Sequence, residues 1–242
     1  MPHFTQAQQR AVEQLARDLE GVFGPRLETL VVYTGNQGDG SVHSCALVQS
    51  LGFRDLTACL PFTESWHRRG TAVPLLLSTD ELGRTIDVFP LEYAAILADY
   101  TVVRGTDPFK GMTIPVEDVR RAVEGVAKSH LIHLREGFLE SHGETTRIAR
   151  LIAASAAPLR ALLVHIARLP DAGSENLDEH MPSDESLAKL AEMRMGVQPG
   201  LIRTVLASSG GNHSTITDPS HLLGAYIDAS HKIWQYVDGW RS

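Results

Sequence analysis

Cysteine is scarce. Cys45 and Cys59 are the only two in 242 residues, which excludes a disulfide framework, and their single spacing lacks the paired pattern of a structural zinc site. A reducing compartment fits this usage best, and a cytoplasmic location is the expectation. Positive charge is also short: 22 Lys and Arg against 29 Asp and Glu leave a formal charge of −7, which argues against nucleic acid as a partner. Between Met1 and Arg17 no basic segment leads into an apolar core, and no later run reads as long enough to span a bilayer, so no membrane association is expected. The chain has no Gly-x-Ser-x-Gly elbow for a serine hydrolase, no Lys-Ser/Thr ending of a P-loop and no complete dinucleotide fingerprint. What is present is ordinary globular composition, 43% hydrophobic and 21% charged, enough for one large domain or two small ones.

The pattern along the chain is mixed at first and helical afterwards. Val12, Leu15, Leu19 and Val22 recur at helical spacing behind Thr5, a candidate N-cap, with Phe4 placed to staple back onto the first turn and Gly24-Pro25 as the stop. Leu27–Tyr33 reads as a buried strand that runs into a glycine loop, Gly35 to Gly40. Ala46–Leu51 reads as a second strand, Phe53–Leu60 as a strand or helix start, Thr63–Arg69 as a short helix, and Val73–Leu77 as a third strand. Ser78–Leu82 has helix-start character, and Arg84–Phe89 reads as a strand ended by Pro90. A short helix over Leu91–Asp99 and a strand over Thr101–Arg104 complete this region. From Val116 to about His142 one face carries Val119, Val123, Val126, His130, Leu134 and Phe138, the mark of a long amphipathic helix. Helices follow over Thr145–Leu169, Leu187–Met195 and Leu222–Trp240, separated by Gly/Ser/Asn/Asp-rich linkers. The expected class is α+β, a mixed sheet with flanking helices in residues 1–114, then an all-α helical bundle in residues 115–242.

The order helix, strand, glycine turn, strand, later strand with an aspartate, then helices resembles the nucleotidyltransferase superfamily. The segments Pro74–Leu77, Thr85–Glu92 and Ser129–Glu140 look like a bacterial branch of it. That resemblance implies a phosphate-cradling turn after the first strand, an Asp-x-Asp pair on the next strand holding two magnesium ions, and a third aspartate on a later strand. Phosphoryl transfer is largely positioning and charge neutralisation, and magnesium takes hard oxygen ligands, so the carboxylates are essential to it. Here Thr34, Gly35, Asn36 and Gly38 stand where the nucleotide-binding turn would be, and Asp87 stands where the third aspartate would be, as the remaining candidate for catalysis and for metal. The pair itself falls at Cys45 and Leu47. Leucine offers no ligand, and a thiol is too soft for magnesium. The expectation is therefore a degenerate, non-catalytic relative that binds a nucleotide, a small anion or a protein partner, with a homodimer through the helical domain as one form. The alternative is an active magnesium-dependent transferase acting on a small-molecule hydroxyl or a protein side chain.

Three further constellations have a plain structural reading beside a functional one. His130 and His133 share a helix at metal-ligand spacing but lack a Glu partner motif. Arg135 and His142 bracket six residues, as in some RNA-cleaving helical domains, yet sit in a heavily charged helix. Trp66-His67-Arg68-Arg69 could stack on a base, or pin a helix to the core through Trp66.

Overall fold

The computed structural model describes residues 4–34, 40–169, 182–209 and 216–240. The chain divides into two compact units, Met1–Ile114 and Pro115–Ser242.

The first unit opens with α1 (Gln6–Phe23). The Thr5 hydroxyl accepts the Gln8 N–H at 3.2 Å while the Gln8 side-chain oxygen accepts the Thr5 N–H at 2.9 Å, a capping box that satisfies two end donors. Strands β1 (Leu27–Thr34) and β2 (Val42–Val48) form an antiparallel hairpin. Then come α2 (Phe53–Arg68), β3 (Leu75–Ser78), α3 (Thr79–Thr85), α4 (Pro90–Ala98) and β4 (Tyr100–Arg104). The strand order is β3-β2-β1-β4, with β3 parallel to β2 and β4 antiparallel to β1, so the sheet is mixed.

Both faces of this sheet are covered, which explains why Leu30–Val32 and Cys45–Val48 are near-continuous apolar runs instead of alternating ones. On one face Leu30, Ala46 and Val48 pack against Leu15, Leu19 and Phe23 of α1 and against Cys59 and Trp66 of α2. The Trp66 indole N–H, the one polar atom of that side chain, donates to Asp18 Oδ2 at 3.0 Å. On the other face Val31, Cys45 and Leu47 meet Leu82 of α3, Tyr93 and Ile96 of α4, and Phe109 beyond β4.

Two expectations change here. The stretch read as a strand or helix start followed by a short helix is the single helix α2, with Pro61 inside it. Pro61 lies on the exposed side, where solvent can serve the Thr57 carbonyl that the missing N–H leaves unpaired. The strand expected over 84–89 does not form. Ser78 caps α3, with its hydroxyl accepting from Glu81 N and the Glu81 carboxylate accepting the Ser78 N–H at 2.6 Å. Pro90 occupies the first turn of α4. Between these two helix signals only a turn fits.

Among the described residues the second unit is wholly helical: α5 (Val116–Glu140), α6 (Thr145–Ala167), α7 (Asp184–Met195), α8 (Leu201–Ala207) and α9 (Pro219–Gly239). Val123, Ala127, His130, Leu131 and Leu134 turn the buried face of α5 inward, and α6 buries Ile148, Ile152, Ala156, Leu159 and Leu163. The α5–α6 corner uses two positive-φ residues, His142 and Gly143, braced by the Gly143 N–H donating to Ser141 Oγ at 3.2 Å. By length and composition α6 could cross a membrane, contrary to the reading of the sequence, because its alanines keep the stretch apolar between sparse arginines. Half of its most apolar window is buried within the protein.

Candidate functional site

The end of the β1–β2 hairpin is where the nucleotide-binding turn was expected. Gly35, Asn36 and Gly38 lie outside the described residues. Thr34 is the last residue of β1, and its hydroxyl donates to Asp99 Oδ2 at the C-cap of α4, 3.0 Å away. One strand position inward, Tyr33 pairs with His43, their rings 5.8 Å apart and tilted by 41°. Burial pushes the Tyr33 phenol up to about 12, reinforced by Cys45 and then Glu92, so it stays a neutral hydroxyl.

Cys45 and Leu47, the positions of the expected carboxylate pair, point to the same face of β2 by strand alternation. Cys45 is fully buried and Leu47 is 3% exposed. Their neighbours on the parallel strand are Leu75 and Leu77, and Val31 is opposite Cys45 on β1. Leu82, Tyr93, Ile96 and Phe109 close over them. Burial pushes the Cys45 thiol up to about 12, so no thiolate is available there either. This face holds packed apolar side chains in the place of a hydrated, carboxylate-lined cleft.

Asp87 is not on a strand. It sits in the exposed turn between α3 and α4 and makes no hydrogen bond or ion pair among the described residues. The structure does not bring it together with Cys45 and Leu47 on the sheet, because the strand beside β2 is Leu75–Ser78. Among the described residues no group of three His, Cys, Asp or Glu is placed to hold a metal ion. The donors that magnesium would need do not fit at these positions.

No protein-family model and no curated protein sequence matches the chain.

The remaining sequence candidates separate on burial. His130 faces the interior of the helical unit with Nε2 2.7 Å from the Tyr226 hydroxyl, and burial, reinforced by His133, pulls it down to about 4. His133 is exposed and its Nδ1 is 3.4 Å from Ser129 Oγ, so the two histidines do not converge. Arg135 and His142 are both exposed. Trp66 is buried in the sheet core and cannot stack on a base, while Arg69 donates to Ser65 Oγ at 3.2 Å. Further along, Trp240 is buried, and Trp234 has Lys128 Nζ 3.5 Å from its ring centroid and the His231 ring stacked at 5.6 Å.

One feature without a sequence signal is a groove of about 350 Å³ between the α7–α8 connection and α9, lined by Val197, Leu201, Asp228, His231 and Lys232 among others. Lys232 Nζ donates to the Gly196 carbonyl at 2.7 Å across it. Ala225 and Ala229 leave the room, and alanine in a helix ordinarily marks packing, so a sequence reading passes over it.

Proposed function

We propose that this chain is a nucleotidyltransferase-like protein that has left metal-dependent catalysis and acts by binding a protein partner, with the helical bundle as its second domain. The observation that carries the reading is the apolar packing around Cys45 and Leu47: two magnesium ions and a triphosphate need several oxygen ligands and an open, polar surface, and this face offers leucine, valine and phenylalanine side chains. Phosphate binding at the hairpin end is disfavoured by Asp99, whose carboxylate takes the Thr34 hydroxyl and would repel an anion at that position. Protein binding needs neither a metal nor an anion cradle.

The test is calorimetric titration with ATP, GTP, CTP and UTP, with and without magnesium, on the wild type and on Asp87→Asn. The expected result is no magnesium-dependent heat with either protein and unchanged stability in the mutant. Magnesium-dependent binding that Asp87→Asn abolishes, together with pyrophosphate release, would instead establish the active transferase.

A further inference from the structure

Helix α2 carries a stripe of large apolar side chains on its outer side. Phe53 is 83% exposed, Leu56 43% and Leu60 63%. Their spacing of three and four residues places them on one face, opposite the side that buries Cys59 and Trp66. Three large apolar side chains in one stripe are unlike the scattered single residues that fill ordinary surfaces.

The charges around the stripe indicate what covers it. Arg54 at the start of the helix and Glu64 three turns later are both exposed, and neither has a hydrogen-bond or ion-pair partner among the described residues. The acidic residue of the first turn, Asp55, is already held by Arg26, with contacts of 2.7 and 3.3 Å. Antiparallel pairing of α2 with a second α2 about a two-fold axis between Thr57 and Leu60 sets Leu56 against Pro61 and Thr57 against Leu60. The same operation sets Glu64 against Phe53 and brings Arg54 of each copy within one residue of Glu64 of the other, so a cation and an anion that have no partner among the described residues are matched twice. Arg68 then falls beyond the first residue of the opposing helix and opposes no like charge. Antiparallel helices also align their dipoles favourably. A lipid surface is a poorer occupant, since Glu64 lies within the stripe itself and anionic headgroups would repel it.

We infer that the exposed face of α2 is a self-complementary interface through which two copies of this chain associate. The inference deepens the partner-binding reading by naming the partner as a second copy, while the nucleotide titration tests that reading separately. A single helix pair buries less than the standard interface, so the dimer belongs at the weak end, with a dissociation constant on the order of 1 to 100 µM.

Sedimentation velocity on the full chain, from about 1 to 200 µM protein and at about 50 and 500 mM salt, tests it across that range. The expected result is concentration-dependent dimerisation that weakens at high salt. Because Phe53 and Leu60 are solvent-facing, Phe53→Ser and Leu60→Ser leave the circular dichroism spectrum and melting temperature intact and weaken association at least about tenfold. Arg54→Glu and Glu64→Arg each weaken it about fivefold, and the double variant Arg54→Glu/Glu64→Arg returns it to within about threefold of wild type. A monomer throughout, or a dimer indifferent to Phe53→Ser and Leu60→Ser, overturns the interface. A charge-swapped double variant as weak as the single ones overturns the two-fold pairing. A monomer whose α2 amides are protected from hydrogen exchange hands the stripe to another part of the same chain and overturns the dimer as well.

Discussion

Between the sheet and helices α3 and α4, the side chains of Val31, Cys45, Leu47, Leu82 and Ile96 meet without a hydrogen bond among them. Between α5 and α9, by contrast, a histidine and a tyrosine lie 2.7 Å apart in an equally buried place. The first interior is held by shape and the removal of apolar surface from water, and burial keeps its one thiol, Cys45, neutral; the second holds an imidazole that acid can charge. The difference shows where each unit is vulnerable. Polar insertion is the weak point of the sheet unit, and acid is the weak point of the helical one.

The largest effect is expected from restoring a carboxylate to the sheet. Leu47→Asp places an acid at a site 3% exposed, with leucines beside it on β3 and no cation within the cluster. It should cost about 4 kcal/mol or more, from lost burial together with a desolvated carboxylate. Urea denaturation with and without magnesium checks this. A variant stabilised by magnesium would break the comparison, because it would mean that this face opens to solvent and retains the geometry of a metal site.

How much of this was legible depended on whether the signal was local. The N-cap of α1 at Thr5, the stop at Gly24 and the strand at Leu27 were readable because each rests on neighbours within a few residues. The second strand was read three or four residues late: His43 and Ser44 look like loop, and only pairing with β1, which sets Thr34 against Val42, makes them strand. Ile86, Val88 and Phe89 look like a strand by composition, but the capping box at Ser78 and Pro90 in the first turn of α4 leave them a turn. That reading set Asp87 on a sheet, whereas it stands in an exposed turn. The absence of a carboxylate at Cys45 and Leu47 could be read from the sequence; that Leu75, Leu77 and Phe109 fill the space around them could not, because those contacts join distant parts of the chain.

The next effect comes from acid. Burial holds His130 and His165 at about 4, with His133 and Arg168 as the respective secondary causes. In the unfolded chain each histidine titrates near its ordinary value, about 6.5. The unfolded state therefore binds more protons between those values, so stability is complete above pH 6.5 and falls as pH drops toward 4. For His130, 8% exposed, the loss approaches roughly 3 kcal/mol at the acid end. Urea midpoints at pH 7, 6, 5 and 4 should decline, and His130→Phe should flatten the slope while His165 keeps part of it. Equal acid sensitivity in wild type and His130→Phe would show that the buried pair has no share in it.

The smallest effects contrast two glycines at close approaches. Gly105, just past β4, has a φ of 80°, and a Cβ there would stand 1.9 Å from the Glu28 carbonyl oxygen, a backbone atom of the paired strand that cannot swing aside. Gly137 on α5 has a Cβ position 2.6 Å from Leu151 Cδ1, the far end of a flexible side chain on α6. Gly105→Ala should therefore lose about 2 kcal/mol or more, from left-handed strain and displaced backbone. Gly137→Ala should change stability by less than about 1 kcal/mol, since the gain in helix propensity offsets a rotamer change at Leu151. Thermal melts of the two variants, side by side, decide the matter. If Gly137→Ala proves the more damaging, the α5–α6 contact is as rigid as the strand pairing, and the contrast between a sheet unit fixed by backbone and a helical unit adjustable through its side chains no longer holds.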